Sequence, residues 1–219
     1  MGKANVVPES QPGLGQFSPE EDEPSLIGDY WHFVASFARR PQTTGAVAPS
    51  SRALAESMCP ADLDQARVVV ELGGGTGAVT RIIRRHLHRD AALIVMEVHA
   101  GAAVRLQGHF PDLHVINDTA ENLRQHLDRL GHRHADCIVS GLPWSSMPGD
   151  LQRRLLDSVS QSLRPGGTFT AMAYLHARGF PTSRRFQREL HRRFPSVART
   201  PIVWANVPPA FVFHCQSAD

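Results

Sequence analysis

Lysine is almost missing from this 219-residue sequence: Lys3 stands alone against 22 arginines. The skew reads as the codon bias of a GC-rich genome before it reads as selection for anion binding. Cysteine is scarce too. Cys59, Cys137 and Cys215 are far apart, odd in number and without a C-x-x-C pair, which excludes a disulfide framework. They are expected to be reduced, mostly buried thiols of a cytoplasmic protein. No apolar run approaches the ~20 residues of a membrane-spanning helix, and the N-terminus lacks the apolar core of a signal peptide. The net charge is only +2, so no global field recruits nucleic acid. Histidine is plentiful at 12, but His86-x-His88 and His132-x-His134 lack helical ligand spacing and nearby cysteines, and no metal site is expected.

What is present is organised around Val68-Val-Val-Glu-Leu-Gly-Gly-Gly-Thr-Gly-Ala-Val-Thr80. Three β-branched residues lead into an acid, glycines follow, and Val79, Ile82, Ile83 and Leu87 then recur as the apolar stripe of a helix. The pattern predicts a strand, a tight turn and a helix, with a turn whose missing Cβ atoms let a ligand lie against the backbone. The spacing is E-x-G-x-G-x-G, not the G-x-G-x-x-G of dinucleotide sites.

Residues 1–24, rich in Pro, Gly, Gln and Glu with five acids against one lysine, read as a disordered acidic tail. A short amphipathic helix is predicted over 25–39, with Tyr30, Trp31, Phe33 and Phe37 and a basic end at Arg39 and Arg40. It is a lid on the domain or a membrane-surface contact. Residues 25–60 form an N-terminal helical cap, with a second helix over Arg52–Met58 begun by Pro49-Ser50-Ser51. Beyond it, strands are predicted at 67–72, 92–98, 112–117, 134–140 and 167–174, alternating with helices at 77–89, 100–109, 119–130, 150–163 and 183–193. Such alternation implies an α/β domain over 61–219, a parallel sheet covered on both faces. Strands at 197–205 and 209–215 then close it as an antiparallel hairpin. On the helix 183–193, Arg184, Arg185, Arg188, Arg192 and Arg193 form a solvated face or a contact with anionic lipid.

In open α/β sheets ligands gather at the carboxyl ends of the strands. Acids end three successive ones: Glu71, Glu97 and Asp118. Glu97 is placed to accept both hydroxyls of a ribose and Asp118 to accept from an exocyclic amine. Together they point to a nucleoside-containing cofactor. Asp118 could equally cap the helix at 119–130, and Ser50 the helix at Arg52–Met58.

Glu71-Leu-Gly-Gly-Gly-Thr-Gly77, with Glu97, Asp118 and Ser140-Gly-Leu-Pro-Trp144, resembles the class I S-adenosylmethionine-dependent methyltransferases. Arg40-Pro-Gln-Thr-Thr-Gly-Ala-Val-Ala-Pro-Ser-Ser51 and Val203-Trp-Ala-Asn-Val-Pro-Pro-Ala210 resemble the soluble bacterial phospholipid N-methyltransferases, which methylate phosphatidylethanolamine. The resemblance covers residues 30–215. It implies a Rossmann-like fold with a mostly parallel seven-stranded sheet and S-adenosylmethionine as cofactor, with S-adenosylhomocysteine as product. It further implies that Gly73, Gly75 and Gly77 lie against the methionine part, that Glu71 reaches its amino group, and that Glu97 and Asp118 hold ribose and adenine. Thr44 and Ser50 would bind the methionine carboxylate. Two positions depart from the pattern: Gly141 stands where related motifs carry Asn, and Ala205 where a basic residue is common. The backbone carbonyls of Ser140 and Gly141 would then hold the substrate amine.

The catalytic candidates are Ser140, Trp144 against a developing alkylammonium, and Tyr30, His99 or Tyr174 for the departing proton. The expected activity is N-methylation of a phospholipid headgroup amine, by a cytoplasmic enzyme that visits an anionic membrane surface. Rival readings are an enzyme of specialised metabolism acting on a soluble small molecule, with or without methyl transfer, an rRNA adenine dimethyltransferase, and a partner-stabilising pseudo-methyltransferase. Against the RNA reading stand the near-neutral charge and the missing basic C-terminal domain. Oligomeric state is not legible.

Overall fold

The computed structural model describes residues 50–219; the tail, the helix expected at 25–39, Tyr30 and Thr44 lie outside them. Seven strands form one sheet in the order β3-β2-β1-β4-β5-β7-β6: β1 (Val68–Leu72), β2 (Ala92–Met96), β3 (His114–Ile116), β4 (Ala135–Ser140), β5 (Leu163–Tyr174), β6 (Ser196–Arg199) and β7 (Ala210–Gln216). The first five pair in parallel, and β7 runs antiparallel between β5 and β6. The expected mostly parallel sheet with a closing antiparallel hairpin is what forms.

Alternation along each strand sorts side chains to two faces. Val70, Leu72, Ile94, Ile138 and Phe169 pack with α4 (Leu123–Arg129), α5 (Gly149–Ser162) and α6 (Pro181–Arg193). Val69, Val95, Val139 and Val212 pack with α1 (Arg52–Met58), α2 (Ala78–His86) and α3 (Ala100–His109). The stripe Val79, Ile82 and Ile83 is buried on α2. Leu54, Ala55 and Met58 of α1 are wholly buried, and the Thr170 hydroxyl donates to Met58 O at 2.8 Å. Residues 52–58 therefore belong to the same packed body as the sheet.

Three elements differ from expectation. The helix predicted at 119–130 begins as a 3-10 turn, Ala120–Asn122, before α4. The fifth strand starts at Leu163, earlier than 167, and pairs with β4 through a register shift. The strand expected at 197–205 stops at Arg199, leaving only a Val203–Ala210 bridge beyond it. Pro201, Pro208 and Pro209 have no N–H to give a ladder. Asn206 instead turns its side chain inward, accepting from Ser51 N at 2.8 Å and donating to Pro208 O at 2.7 Å.

Candidate active site

The strand order reverses between β1 and β4, which opens a crevice at their carboxyl ends. The glycine turn stands there. Its entry is fixed by Gly73 N donating to Met96 O (2.8 Å), while Gly141 N donates to Leu72 O (2.9 Å). Gly73, Gly75 and Gly77 have φ of +80°, +52° and +77°, a region costly for residues with a Cβ. Around them space differs. A Cβ at Gly77 would meet the Phe110 ring at 2.8 Å, and one at Gly73 would meet Leu142 Cδ2 at 2.9 Å, whereas one at Gly75 would meet nothing nearer than Gly73 O at 4.0 Å. Gly75 is thus where the turn bares its backbone.

Glu97, 8% exposed, follows β2 directly. Its Oε2 accepts from Gly75 N at 2.9 Å and its Oε1 from His99 N at 2.8 Å. A carboxylate has about four acceptor positions, so two bonds secure the turn and others remain for a ligand. Asn117 Nδ2 donates to both Glu97 O and Val98 O (2.8 and 2.9 Å) and clamps this corner. Spacing alone gave no signal for that role.

Glu71 is 1% exposed, and among the described residues neither carboxylate oxygen has a donor in full hydrogen-bond geometry, though Thr80 faces it. Burial pushes its carboxyl up to about 8; Thr80 facing it offsets part of the rise and the Glu97 charge adds to it. An orphaned buried carboxyl calls for a cation or donor. The ammonium of S-adenosylmethionine supplies that chemistry, and the open backbone at Gly75 beside Glu97 suits the rest of the cofactor. The residues fit the group.

Asp118 sits after β3 among donors from its own segment. Thr119 N and Asn122 Nδ2 donate to Oδ1 (2.7 and 3.1 Å), and Asn122 Nδ2 and His126 Nε2 lie 3.0 and 2.7 Å from Oδ2. Burial alone would raise this carboxyl, but hydrogen bonds from His126, Asn122 and the Thr119 amide outweigh it and hold it below the usual range. Thr119, not Asp118, caps the 3-10 turn. Likewise Ser51 rather than Ser50 caps α1, its hydroxyl accepting from Leu54 N at 3.2 Å. Ser50 is half-buried just before it.

Ser140 and Trp144 form one unit. The Ser140 hydroxyl accepts from Trp144 Nε1 (3.0 Å) and Leu142 N (3.3 Å), and Gln152 Nε2 donates to Trp144 O at 2.6 Å. Trp144 is 1% exposed and stacks on Phe186 with ring centroids 4.6 Å apart. One face of the indole is therefore already covered. A Cβ at position 141 would lie 3.0 Å from Gly73 O, so a larger residue there would need the glycine turn to give by a few tenths of an ångström. His99 caps α3 by accepting from Ala102 N at Nδ1 (3.1 Å), so a neutral ring carries its proton on Nε2. Burial pushes the Tyr174 hydroxyl up to about 12, so it keeps its proton near neutrality. Missed from the sequence were Asn117, His126 and Asn206, whose partners lie across loops.

No family model matches the chain. It is 34% identical over 195 residues to an ornithine lipid N-methyltransferase of Singulisphaera acidiphila, spanning 86% of this chain and 96% of that protein. Among solved structures, the fold is similar to the O-methyltransferase TomG from Streptomyces achromogenes, solved with S-adenosylmethionine (TM-score 0.59, 20% identity, 87% of this chain and 90% of that one). It is also similar to the N-methyltransferase NodS from Bradyrhizobium japonicum (TM-score 0.57, 14% identity, 77% and 96%). On the closeness and coverage of the first relative, together with the site just described, the chain belongs to the family of that ornithine lipid N-methyltransferase and is a class I S-adenosylmethionine-dependent methyltransferase.

Proposed function

We propose that this enzyme methylates the amine of an amino lipid headgroup, with ornithine lipid the first candidate and phosphatidylethanolamine the second. The carrying observation is the relationship to the Singulisphaera acidiphila enzyme along 96% of its length. The cofactor supplies a methyl group already electrophilic on a sulfonium. The chain's part is then to align the amine and to exclude water. In this reading Glu97 holds the ribose, Glu71 faces the ammonium, Asp118 lies at the adenine, and Gly73, Gly75 and Gly77 give backbone contact to the methionine part. The Ser140–Trp144 unit positions the Ser140 and Gly141 carbonyls against the amine. Of the base candidates among the described residues, His99 is engaged as a cap and Tyr174 holds its own proton, so neither takes the amine proton.

No helix among the described residues is long and apolar enough to cross a membrane, so these residues approach the headgroup from the aqueous side. Arg184, Arg185 and Arg188 of α6 are exposed, whereas Arg193 pairs with Asp157 and Glu189. The test uses labelled S-adenosylmethionine with ornithine lipid, phosphatidylethanolamine, free ornithine and ethanolamine, alongside co-sedimentation with anionic and neutral vesicles. Label is expected in a lipid, and salt-sensitive binding with anionic vesicles only. Label confined to the soluble amines would overturn the lipid reading.

A further inference from the structure

We propose that the cleft between the end of β5, the first turns of α6 and the facing ends of β6 and β7 seats an oxyanion of the substrate, a phosphate or carboxylate carried by the same amphiphile as the reacting amine. The proposal rests on the lipid reading above. The cleft's floor is aromatic, made by Phe186, Phe211 and Phe213, and its polar wall is made by Arg178, Ser183 and Arg199. No acid lines it. Arg178 and Arg199 are exposed and neither makes an ion pair among the described residues. Arg199 lies over the Phe211 ring at 5.3 Å from its centroid, which holds the guanidinium at the cleft while leaving its N–H groups for an anion.

Ser183 gives a separate indication. Its hydroxyl oxygen is buried against the cleft without a hydrogen-bond partner, and it belongs to the first turn of a 13-residue helix, whose amino end favours negative charge. Two cations and an orphaned hydroxyl thus meet at one cavity. Its position fits the chemistry. Trp144 and Tyr174 also line it, and both stand at the carboxyl ends of β4 and β5, where the amine must meet the cofactor. An oxyanion held by Arg178 and Arg199 would therefore fix one end of a headgroup whose other end reaches the reaction centre. Turns at the same edge of the sheet expose Phe180 (51%), Trp204 (69%) and Val207 (70%), apolar side chains suited to the interfacial layer in which a lipid headgroup sits. A lipid, rather than a free anion, is the occupant this surface matches.

The experiment compares the full-chain enzyme with Arg178→Gln, Arg199→Gln and the double variant. The substrates are an amino lipid carrying an oxyanion and dodecylamine, which carries none. Loss of two charged contacts should raise KM for the oxyanion-bearing lipid by roughly tenfold or more, with kcat within about twofold. KM for dodecylamine should stay level or fall, and S-adenosylhomocysteine affinity and melting temperature should not move. Equal changes for both substrates, or none for the lipid, overturn the proposal. If the wild type methylates no lipid amine, the lipid reading fails separately, and the cleft is read by binding: dodecyl phosphate should quench tryptophan fluorescence in the wild type and not in the double variant. Inorganic phosphate bound as tightly as dodecyl phosphate would make this a free-anion site and overturn the lipid seat, as would no binding of either.

Discussion

The crevice behind the glycine turn and the cleft beside α6 open on the same edge of one sheet, yet they are made of different material. The crevice is backbone and carboxylate: Gly75 N on Glu97, Gly73 N on Met96 O, and the buried Glu71 carboxyl facing Thr80. Its parts come from short stretches at the ends of consecutive strands. The cleft is largely aromatic and cationic, with parts drawn from residues 144 to 213. A site made of backbone geometry tolerates little change. One lined by side chains can alter its preference without disturbing the first.

The largest effect expected of any substitution breaks this contrast at Gly75. Gly75→Val places a branched side chain in open space at φ +52° and should reduce S-adenosylhomocysteine affinity by on the order of a hundredfold or more in calorimetry, while the domain still melts cooperatively. Gly77→Val would instead drive into Phe110 and lower the melting temperature itself. Tight binding by a folded Gly75→Val variant would remove the cofactor from this turn.

Next in size is Glu97→Ala, which frees Gly75 N and His99 N together. Calorimetry should find cofactor binding weaker by about 1–3 kcal/mol, the scale of lost charged hydrogen bonds. Lipid KM should change far less than after loss of Arg178 and Arg199. An unchanged affinity would leave Glu97 as a structural clamp alone.

The last effect is a pH dependence at Glu71. The folded protein keeps this proton up to about pH 8, whereas an ordinary glutamate releases it near 4.5. The folded state therefore binds more protons between those values, and stability of the cofactor-free enzyme falls as pH rises through that window. Cofactor affinity moves the other way, rising toward pH 8 as the carboxylate becomes available to the ammonium. Glu71→Gln should flatten both trends, by thermal melts and by titrations at pH 5.5 and 8. Parallel pH curves for wild type and variant would assign the dependence to another group.

How far the sequence could be read follows from the same contrast. Strand, turn and helix around Gly73 are local, so β-branched periodicity and glycine spacing disclose them, and Glu97 was found because a fixed distance separates it from the turn. Asp118 was visible as a strand-end acid, but its donors Asn122 and His126 were not, because only the folded 3-10 turn and α4 bring them back toward it. Ser50 and Ser51 are adjacent hydroxyl residues that no pattern separates; the hydrogen bond to Leu54 N chooses Ser51. The strand predicted at 197–205 stops at Arg199 because Pro201, with no N–H for the ladder, follows directly on Thr200. Arg178 and Arg199 are 21 positions apart and carry no shared motif.

Asn206 also has a mechanical meaning. Its side chain is a pin through two arms, one the start of α1 at Ser51, the other the loop that exposes Trp204 and Val207. The far end of α1 is riveted to the sheet by Thr170 and by His214, whose ring nitrogen lies 2.9 Å from Ser57 O. The helix is thus a strut, and the loop cannot swing away from it without withdrawing the pin. Since one such bond is worth net about 1 kcal/mol, the pin fixes where the loop sits against α1 while adding little to the stability of the sheet itself.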